Sequence, residues 1–375
     1  MELKFKRQGM IKKIILIMLI PCGLILFYGT SYTPDLIEKY YSQFIGKKFI
    51  QVLSYISGIL PISFMEFLVI GLILYILYKL YSFVYSLIKN KGKRKKVVAD
   101  FMKEVFIKVS IIYFIFVAGW SLNYNRYPFS KIAGYDTHSV NIEELSQVCE
   151  SLINQTNELR LKVKEDGNGV MYLSDGKKNA LNAAQNGYDV LMKQYPELNG
   201  SYGTPKGVLF SKFMSLQGLG GIYCPFTGEA NINMDMPDSS IPFVICHEMA
   251  HQRGFAREDE ANFIGYLASI NNPRIDFKYS GSISALNYAM NALYEHDKAK
   301  FKILRGKFSD ELNRDFKARS VYWQGYEGVV NKVSNAANNT YLKVNRQKDG
   351  VESYGRMVDL LIYQYRQNKL LNNSK

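Results

Sequence analysis

Three long apolar runs lie in the first third of the chain, and helical periodicity dominates the rest. The runs cover residues of about 14–32, 59–88 and 105–124. Each is long enough to cross a bilayer as a helix, which takes about 20 residues. The pattern predicts a membrane anchor of three transmembrane helices in residues 1–124, followed by one folded domain in residues 125–375.

The apolar spacing changes once within the predicted domain. Residues 141–165 and 176–195 have apolar positions at helical spacing, which returns at 241–270 and continues towards the C-terminus. Between them, residues 207–234 alternate and are rich in glycine, as strands and hairpins are. Helices, a small sheet and more helices in this order predict an α+β, mainly helical fold.

The distribution of charge predicts how the chain is oriented in the membrane. The chain of 375 residues carries a formal charge of +14, of which +4 lies in residues 1–13 and +6 in residues 89–96. Both basic segments border apolar runs, so the charge does not indicate a nucleic-acid partner. Lysine-rich short loops remain in the cytoplasm. If both segments lie there, the protein is a multi-pass cell-membrane protein and residues 125–375 are extracytoplasmic.

Two alternatives apply to the apolar runs. The first run follows a basic tail, as a cleaved signal peptide does, but no A-x-A-like cleavage site follows it. The second and third runs could form buried helices of a soluble protein. Their length and their basic flanks favour the membrane instead.

The four cysteines bear on whether the domain has disulfide bonds, as proteins of oxidising compartments often do. Cys22 lies in the first run, so three remain for the domain, and an odd number does not indicate a disulfide framework. A bond between Cys149 and Cys224 stays open. Cys246 has no metal-type cysteine spacing around it and is predicted to be a small buried side chain.

The segment CHEMAHQRGFAREDEANF, residues 246–263, carries the candidate chemistry. His247 and His251 are four apart, so on a helix they share a face and can bind one ion. The pattern is H-E-x-x-H, in which the histidines bind Zn²⁺ and the glutamate, here Glu248, acts as general base on water. The alternative is an ordinary polar surface helix. The apolar IPFVI before the motif argues against it, and Gly254 is predicted to end the helix in a left-handed conformation.

The motif and the residues that follow it, up to residue 263, resemble the zincin superfamily of metallopeptidases. More closely, the chain resembles a group of uncharacterised bacterial membrane-anchored zincin-like proteins through LPISFMEF, WSLNYNR, GIYCPFTGEANIN, HEMAHQRGF and SYGRMVDLL. The resemblance implies a zincin-like domain whose third metal ligand is a glutamate that opens an E-x-x-A-[DN] segment. Glu258 opens such a segment here, with Asn262 where many zincins have an aspartate that orients the first histidine.

Glu258 and Glu260 both remain candidates for the third ligand. They are two residues apart and diverge by about 200° on a helix, so only one can face the ion. Glu258 is preferred because Asn262 lies one turn further on the same face, where it can hold a histidine. A different explanation for the acids Glu258, Asp259 and Glu260 is that they stabilise the positive end of a helix dipole.

Residues 221–237 are the next candidate segment. Ala230, Ile232 and Met234 alternate with polar residues, which fits a half-exposed edge strand. The resemblance to zincins implies that this strand, which precedes the active helix, pairs with an extended substrate. A purely structural hairpin fits equally well. Glu229 is a candidate for contacting a substrate amine. His296 and Tyr354 are candidates for stabilising an oxyanion, and a structural role is the alternative for both.

These features predict a membrane-anchored zinc metallopeptidase that cleaves a peptide or protein substrate of unknown identity. The rival is a non-catalytic zincin-like sensor, scaffold or binding module of the cell envelope. Retention of Glu248 favours the enzyme, because a structural metal does not need it. A transporter subunit is a third class, which the three spans argue against because they have almost no polar face.

Overall fold

The computed structural model describes residues 14–347 and 356–373. It is mostly helical and contains one small sheet of three strands, as the α+β pattern predicts. The chain divides into two compact units. The first contains residues up to Ile50, Phe64–Arg126 and Pro225–Thr227; the second contains Gln51–Ser63, Tyr127–Cys224 and residues from Gly228 onward.

The first unit is helical and contains a small apolar cluster that includes Phe27 and Val117. It also buries an ion pair, in which Arg126 donates to both carboxylate oxygens of Glu38 at 2.6 and 2.9 Å. Gly46–Gly58 runs from this unit into the second. The remaining helices are Leu19–Thr30, Pro34–Leu36, the π-helix Ile37–Ile45, Phe64–Lys89, Arg94–Gly119 and the 3₁₀ helices Lys91–Lys93 and Ser121–Asn125.

Phe64–Lys89 is a helix of 26 residues that is long and apolar enough to cross a membrane. Ile14–Thr30 and Pro34–Gly58 meet the same criterion only as a pair, and the chain bends by 101° between them. Arg94–Gly119 contains most of the third apolar run but also Lys103, Glu104 and Lys108. Among the described residues, length and composition therefore support one membrane-spanning helix, or two if the bent pair forms one span.

The second unit is built mainly from helices around one core. The helix that carries His247 is Ile241–Gln252, called here the motif helix, and the next is Glu258–Asn271, the returning helix. The other helices are Phe129–Ile132, Ile142–Arg160, Lys177–Ala183, Gln185–Leu191, Ser211–Leu216, Ile275–His296, Lys298–Arg305, Asp310–Gln324, Val329–Val344, Met357–Asn373 and the 3₁₀ helices Pro196–Leu198 and Asp238–Ser240. The sequence pattern does not predict Ser211–Leu216, which interrupts the glycine-rich segment.

The third strand in sequence lies at the centre of the sheet. The central strand β3, Glu229–Ile232, pairs in parallel with β1, Lys206–Gly207, and antiparallel with β2, Gly221–Cys224. Tyr223 lies opposite Ala230 in the second pairing. A hairpin therefore joins β2 and β3, and β2 is an edge strand of the sheet.

The prediction of a half-exposed strand from Ala230 to Asp235 is wrong, because all four residues of β3 are buried. The asparagines that looked like an exposed face are buried with internal hydrogen-bond partners. Asn231 accepts from the Ser63 hydroxyl at 2.7 Å, and Asn233 donates to the Ser215 hydroxyl at 2.9 Å. Buried polar side chains with such partners mimic the alternation of an exposed strand.

The motif helix lies against the sheet on one side and the returning helix on another. Of its twelve residues, all except Val244 are buried. Pro242 occupies its first turn, where the missing N–H costs nothing. The interpretation of this segment as a polar surface helix is therefore excluded.

Candidate metal centre

Two contacts hold the motif helix at its first turns. The Phe243 amide, one of the donors without a partner inside the helix, donates to the Ser280 hydroxyl at 3.0 Å. The Tyr188 hydroxyl donates to the Cys246 carbonyl at 2.6 Å. Both partners are buried and come from neighbouring helices, so the backbone beside His247 is fixed from two directions.

The side chains of His247, Glu248 and His251 converge as the four-residue spacing predicts. Their nearest ligand atoms all lie within 4.8 Å of one another. Glu258 joins them from the returning helix: its Oε2 lies 3.4 Å from Nε2 of His247 and 3.6 Å from Nε2 of His251. One carboxylate oxygen thus faces both imidazoles.

The turn after the motif helix orients His251. Gly254 has a φ of +81°, as predicted, and the Phe255 amide donates to the Ala250 carbonyl at 3.2 Å, which closes a Schellman-type end. The reversal brings the Phe255 carbonyl to 2.7 Å from Nδ1 of His251. With a proton on Nδ1 to make this bond, Nε2 is the nitrogen that faces Glu258 and is left to bind a metal ion.

The structure distinguishes between Glu258 and Glu260, the two candidates for the third ligand. Oε1 of Glu260 accepts from the Phe129 amide at 2.9 Å and lies 3.6 Å from the Arg257 guanidinium. Asp259 pairs with the same arginine at 3.2 Å. Glu258 is the acid that lies with the histidines, whereas Asp259 pairs with Arg257 and Glu260 binds the amide of Phe129.

The predicted bond from Asn262 to a ligand histidine is not formed. Its Oδ1 accepts from the Tyr288 hydroxyl at 3.3 Å, and Nδ1 of His247 has no hydrogen-bond partner in the described part of the chain. Tyr288 therefore donates to the amide oxygen of Asn262, which the sequence predicted would bind the imidazole of a ligand histidine. Only His251 has its orientation fixed by a hydrogen bond on Nδ1.

Glu248 lies under the edge strand. It is buried, and the backbone amide of Tyr223 on β2 donates to its carboxylate. Gly221 lies so close that a Cβ there would be 2.5 Å from Oε1 of Glu248. Burial raises the pKa of Glu248, and the opposing effect of His247 and His251 does not cancel this. A raised carboxylate pKa brings a general base closer to neutrality.

The charges of the other groups favour a cation. Burial acts to raise the pKa of Glu258, but the attraction of His251 and the hydrogen bonds to both histidines outweigh it, so the pKa is lowered. Burial acts to lower the pKa of His251, and Glu258 overrides this and raises it to about 9. A buried, ionised carboxylate between two imidazoles is a site that attracts positive charge.

The donor set fits zinc. Two imidazole nitrogens and one carboxylate oxygen, with a fourth position for water, are a known catalytic zinc set. Ligand atoms about 2.0–2.1 Å from a tetrahedral ion are about 3.3–3.4 Å apart. The separations of 3.4 and 3.6 Å from Oε2 of Glu258 to the two Nε2 atoms are close to that value.

The weaker candidates lie elsewhere or are buried. Glu229 is buried in the central strand, and His296 is exposed at the end of Ile275–His296. Tyr354 lies outside the described residues. Cys149, Cys224 and Cys246 are free thiols and buried, so the open possibility of a Cys149–Cys224 bond is not realised.

Three contributors were absent from the sequence prediction. The Phe255 carbonyl is a backbone group, which no side-chain motif reveals. Gly221 could have been suspected only from the glycines around β2. Arg253, directly after the motif helix, is buried with its guanidinium 3.7 Å from the ring centre of Tyr188 and donates to the Met249 carbonyl at 2.9 Å. It therefore locks the end of the motif helix to the core.

The comparisons with known proteins place the chain in a family. A family model described as a protein of unknown function, DUF3810, matches residues 41–362. The chain belongs to the DUF3810 family. Neither the curated proteins nor the solved structures gave a match. The DUF3810 match contains both histidines, Glu248 and Glu258, and its description assigns no activity to them.

Proposed function

We propose that this protein is a membrane-anchored zinc metallopeptidase. The observation that carries the proposal is the convergence of His247, His251 and Glu258, with Glu248 beside them under the edge strand. The resemblance of HEMAHQRGF and EDEANF to the zincin superfamily supports the same reaction class, and with it a zincin-like domain for residues 125–375.

His247, His251 and Glu258 would hold the ion. Bound there, zinc would supply Lewis acidity, which makes water acidic enough to attack near neutral pH. The Phe255 carbonyl keeps His251 in the tautomer that offers Nε2. Glu260 is not needed as a ligand, since it already binds Phe129 and Arg257.

Glu248 is the general base in this proposal. Its carboxylate takes a proton as water adds to the peptide carbonyl, and it returns the proton to the amine as the C–N bond breaks. The Tyr223 amide and the close packing of Gly221 hold the carboxylate in one position. A structural metal would need neither Glu248 nor this support, which is the argument against a non-catalytic module.

The edge strand β2 is the proposed substrate site. A strand at the edge of a sheet offers its outer N–H and C=O groups to an extended peptide, which adds as a further strand. Glu248 lies at Tyr223 of this strand, so a peptide bound along β2 would pass the proposed base. This assigns substrate binding to β2 within the candidate segment 221–237, rather than to the buried strand β3.

The membrane part is proposed to place the domain outside the cytoplasm. Phe64–Lys89 is the strongest span, and the basic segment 89–96 directly after it marks the cytoplasmic side. With spans near 14–32 and 105–124 as well, tags inserted after residue 92 and after residue 375 should report opposite sides. Both tags on one side would contradict the three-span arrangement.

The deciding experiment uses the full chain purified in detergent. Metal analysis should find one zinc per chain, and a peptide library should be cleaved by the wild type but not by Glu248→Gln. The variant should keep its zinc, because the ligands are intact. A zinc-loaded wild type that cleaves nothing, with an unchanged cellular phenotype in Glu248→Gln, would favour the non-catalytic envelope module.

A further inference from the structure

The helix Val329–Val344 turns its apolar face outward. At 100° per residue, Val329, Val330, Val333, Ala336, Ala337 and Val344 fall within an arc of about 120°. Thr340 also lies in this arc, and its hydroxyl donates to the Ala336 carbonyl at 2.9 Å. All six apolar residues are exposed, and the exposed fraction of Val329, Val333 and Val344 is above 60%. We call this arc the valine face.

The opposite face of the helix is polar and lies towards the protein. Asn331, Asn338 and Asn339 are partly buried, and the single fully buried side chain of the helix, Leu342, lies on the same side. Asn331 packs so tightly that a Cβ on Gly218 would be 2.2 Å from its Nδ2.

This orientation is the reverse of that in a soluble amphipathic helix. A surface helix of a soluble domain normally turns its apolar stripe to the core and its polar stripe to water. Contiguous exposed apolar side chains mark a binding surface for a protein or a membrane. The valine face is therefore a docking surface, and the remaining question is its occupant.

A second helix extends the surface. Phe213 and Leu216 of Ser211–Leu216 are exposed, with exposed fractions of 59% and 43%. The two helices are neighbours, since Gly218 follows Ser211–Leu216 by two residues and contacts Asn331. Larger exposed apolar side chains thus lie on a helix that neighbours Val329–Val344.

Charge selects among the possible occupants. Lys212, Lys332 and Lys343 are exposed on the two helices, and neither helix contains an aspartate or glutamate. Lys332 and Lys343 border the valine face on one side, where their chains can cover apolar surface while the ammonium groups reach headgroups. Apolar residues flanked by lysines are typical of helices that lie on anionic lipid.

We propose that the valine face, with Phe213 and Leu216, binds the surface of a lipid bilayer that carries anionic headgroups. The inference rests on the proposed membrane anchorage. Ser63, which is hydrogen-bonded to Asn231 of the central strand, directly precedes Phe64, the first residue of the strongest candidate span. The tether keeps a bilayer within reach, so weak surface binding is sufficient to orient the domain.

Site-directed spin labelling of the full chain in nanodiscs with anionic lipid tests this. Cys22→Ser removes the exposed thiol, and the other three cysteines are buried. Single cysteines then replace Val333, Phe213, Leu74 in the candidate span, and Ile303. Ile303 is the matched control, since it is as exposed as Val333, 67% against 64%, but lies on a different helix.

Labels at Val333 and Phe213 should be relaxed by oxygen, which partitions into lipid, and protected from an aqueous nickel chelate, whereas the label at Ile303 should show the reverse. The protection should weaken in neutral lipid or when Lys212, Lys332 and Lys343 are changed to glutamine. The label at Leu74 reports the anchor separately.

Leu74 in lipid with Val333 in water would overturn the docking proposal and leave the anchor intact. Val333 in lipid with Leu74 in water would support docking and contradict the anchor. Two results would overturn the proposal and indicate that a protein covers the valine face. One is dipolar coupling between the Val333 labels of two copies, and the other is equal protection of Val333 from the nickel chelate in detergent without lipid.

Discussion

Gly221 of the edge strand lies directly against the side chain of Glu248. A Cβ on residue 221 would come within 2.5 Å of Oε1, 2.6 Å of Cγ and 2.8 Å of Cδ of that glutamate. Contacts this short do not occur between real atoms, so one of the two must move if residue 221 has a side chain. The proposed base and the proposed substrate strand are therefore a single packed unit.

Gly221→Ala is expected to displace the Glu248 carboxylate without touching a metal ligand. A shift of about 1 Å in a reacting group can lower the rate by about 100-fold. We expect hydrolysis of a library-derived peptide to fall by about 10- to 100-fold while zinc content stays at the wild-type value.

Gly167→Ala is the control, because a Cβ there meets nothing within 4 Å. It should leave both quantities unchanged. Full activity in Gly221→Ala would contradict the proposed role of Glu248, and loss of zinc would show that the strand supports the ligands instead.

Glu258→Gln and Glu260→Gln separate a ligand from a structural acid. Glu258→Gln removes the charge that faces both Nε2 atoms, so zinc affinity should fall at least tenfold. Glu260→Gln weakens the contacts with Arg257 and the Phe129 amide, so it should lower the thermal midpoint and leave zinc affinity within about twofold. Competition with a chromophoric chelator measures the affinity, and the reverse pattern would move the ligand to Glu260.

The convergence of the candidate ligands was predictable, because it depends on residues that are close to one another in the sequence. The spacing of His247, Glu248 and His251 fixes their shared helix face, and Gly254 marks the turn that brings Glu258 back. Periodicity and turn chemistry need only neighbouring residues. They also predicted the helices on either side and the β2–β3 hairpin.

What the sequence could not predict depends on distant partners. Asn231 and Asn233 look like an exposed strand face, and only Ser63 and Ser215 explain why they are buried. Asn262 was assigned to a histidine, but Tyr288, 26 residues later, takes its oxygen. Periodicity predicted a helix at 320–340, whereas the chain forms two helices that meet there, Asp310–Gln324 and Val329–Val344. The outward direction of the valines was not predicted either, because periodicity defines a face but not which way it turns.

Gly254→Ala tests how much the turn contributes to the metal centre. Alanine in the left-handed conformation costs about 1–2 kcal/mol. Because relief of this strain would move the Phe255 carbonyl away from Nδ1 of His251, zinc affinity should also fall by about 10- to 100-fold. Gly134→Ala is matched: Gly134 follows the helix Phe129–Ile132 in the same kind of turn, its φ is +63°, and a Cβ there meets nothing within 4 Å. It should lose similar stability and keep its zinc affinity, and an equal affinity loss in both variants would contradict the orienting role of the turn.

Asp315 is the centre of a buried network away from the metal centre, and its substitution should destabilise the second unit. Its Oδ2 accepts from Arg160 at 2.7 Å and from the Tyr279 hydroxyl at 2.5 Å, and its Oδ1 accepts from the Met171 amide at 2.8 Å. Arg160 and Tyr279 are also fully buried, so Asp315→Ala leaves the Arg160 Nε, the Tyr279 hydroxyl and the Met171 amide without their acceptor. Arg160 keeps its second nitrogen on Glu165 and on the Gly169 carbonyl.

Removing one member of a buried pair costs about 3–5 kcal/mol, because the remaining charge stays desolvated. Because Arg160 keeps Glu165 as a charged partner, we expect Asp315→Ala to lower the free energy of unfolding by about 3 kcal/mol, the lower end of that range, in denaturant titrations of the full chain in detergent. Asp315→Asn should recover part of the loss, since its amide oxygen can still accept one of the bonds. Glu158→Gln, at an exposed pair with Lys162, is the control and should leave the denaturant midpoint unchanged, because exposed pairs are screened by water. Equal midpoints for Asp315→Ala and Glu158→Gln would mean that the network contributes nothing to the stability of the core.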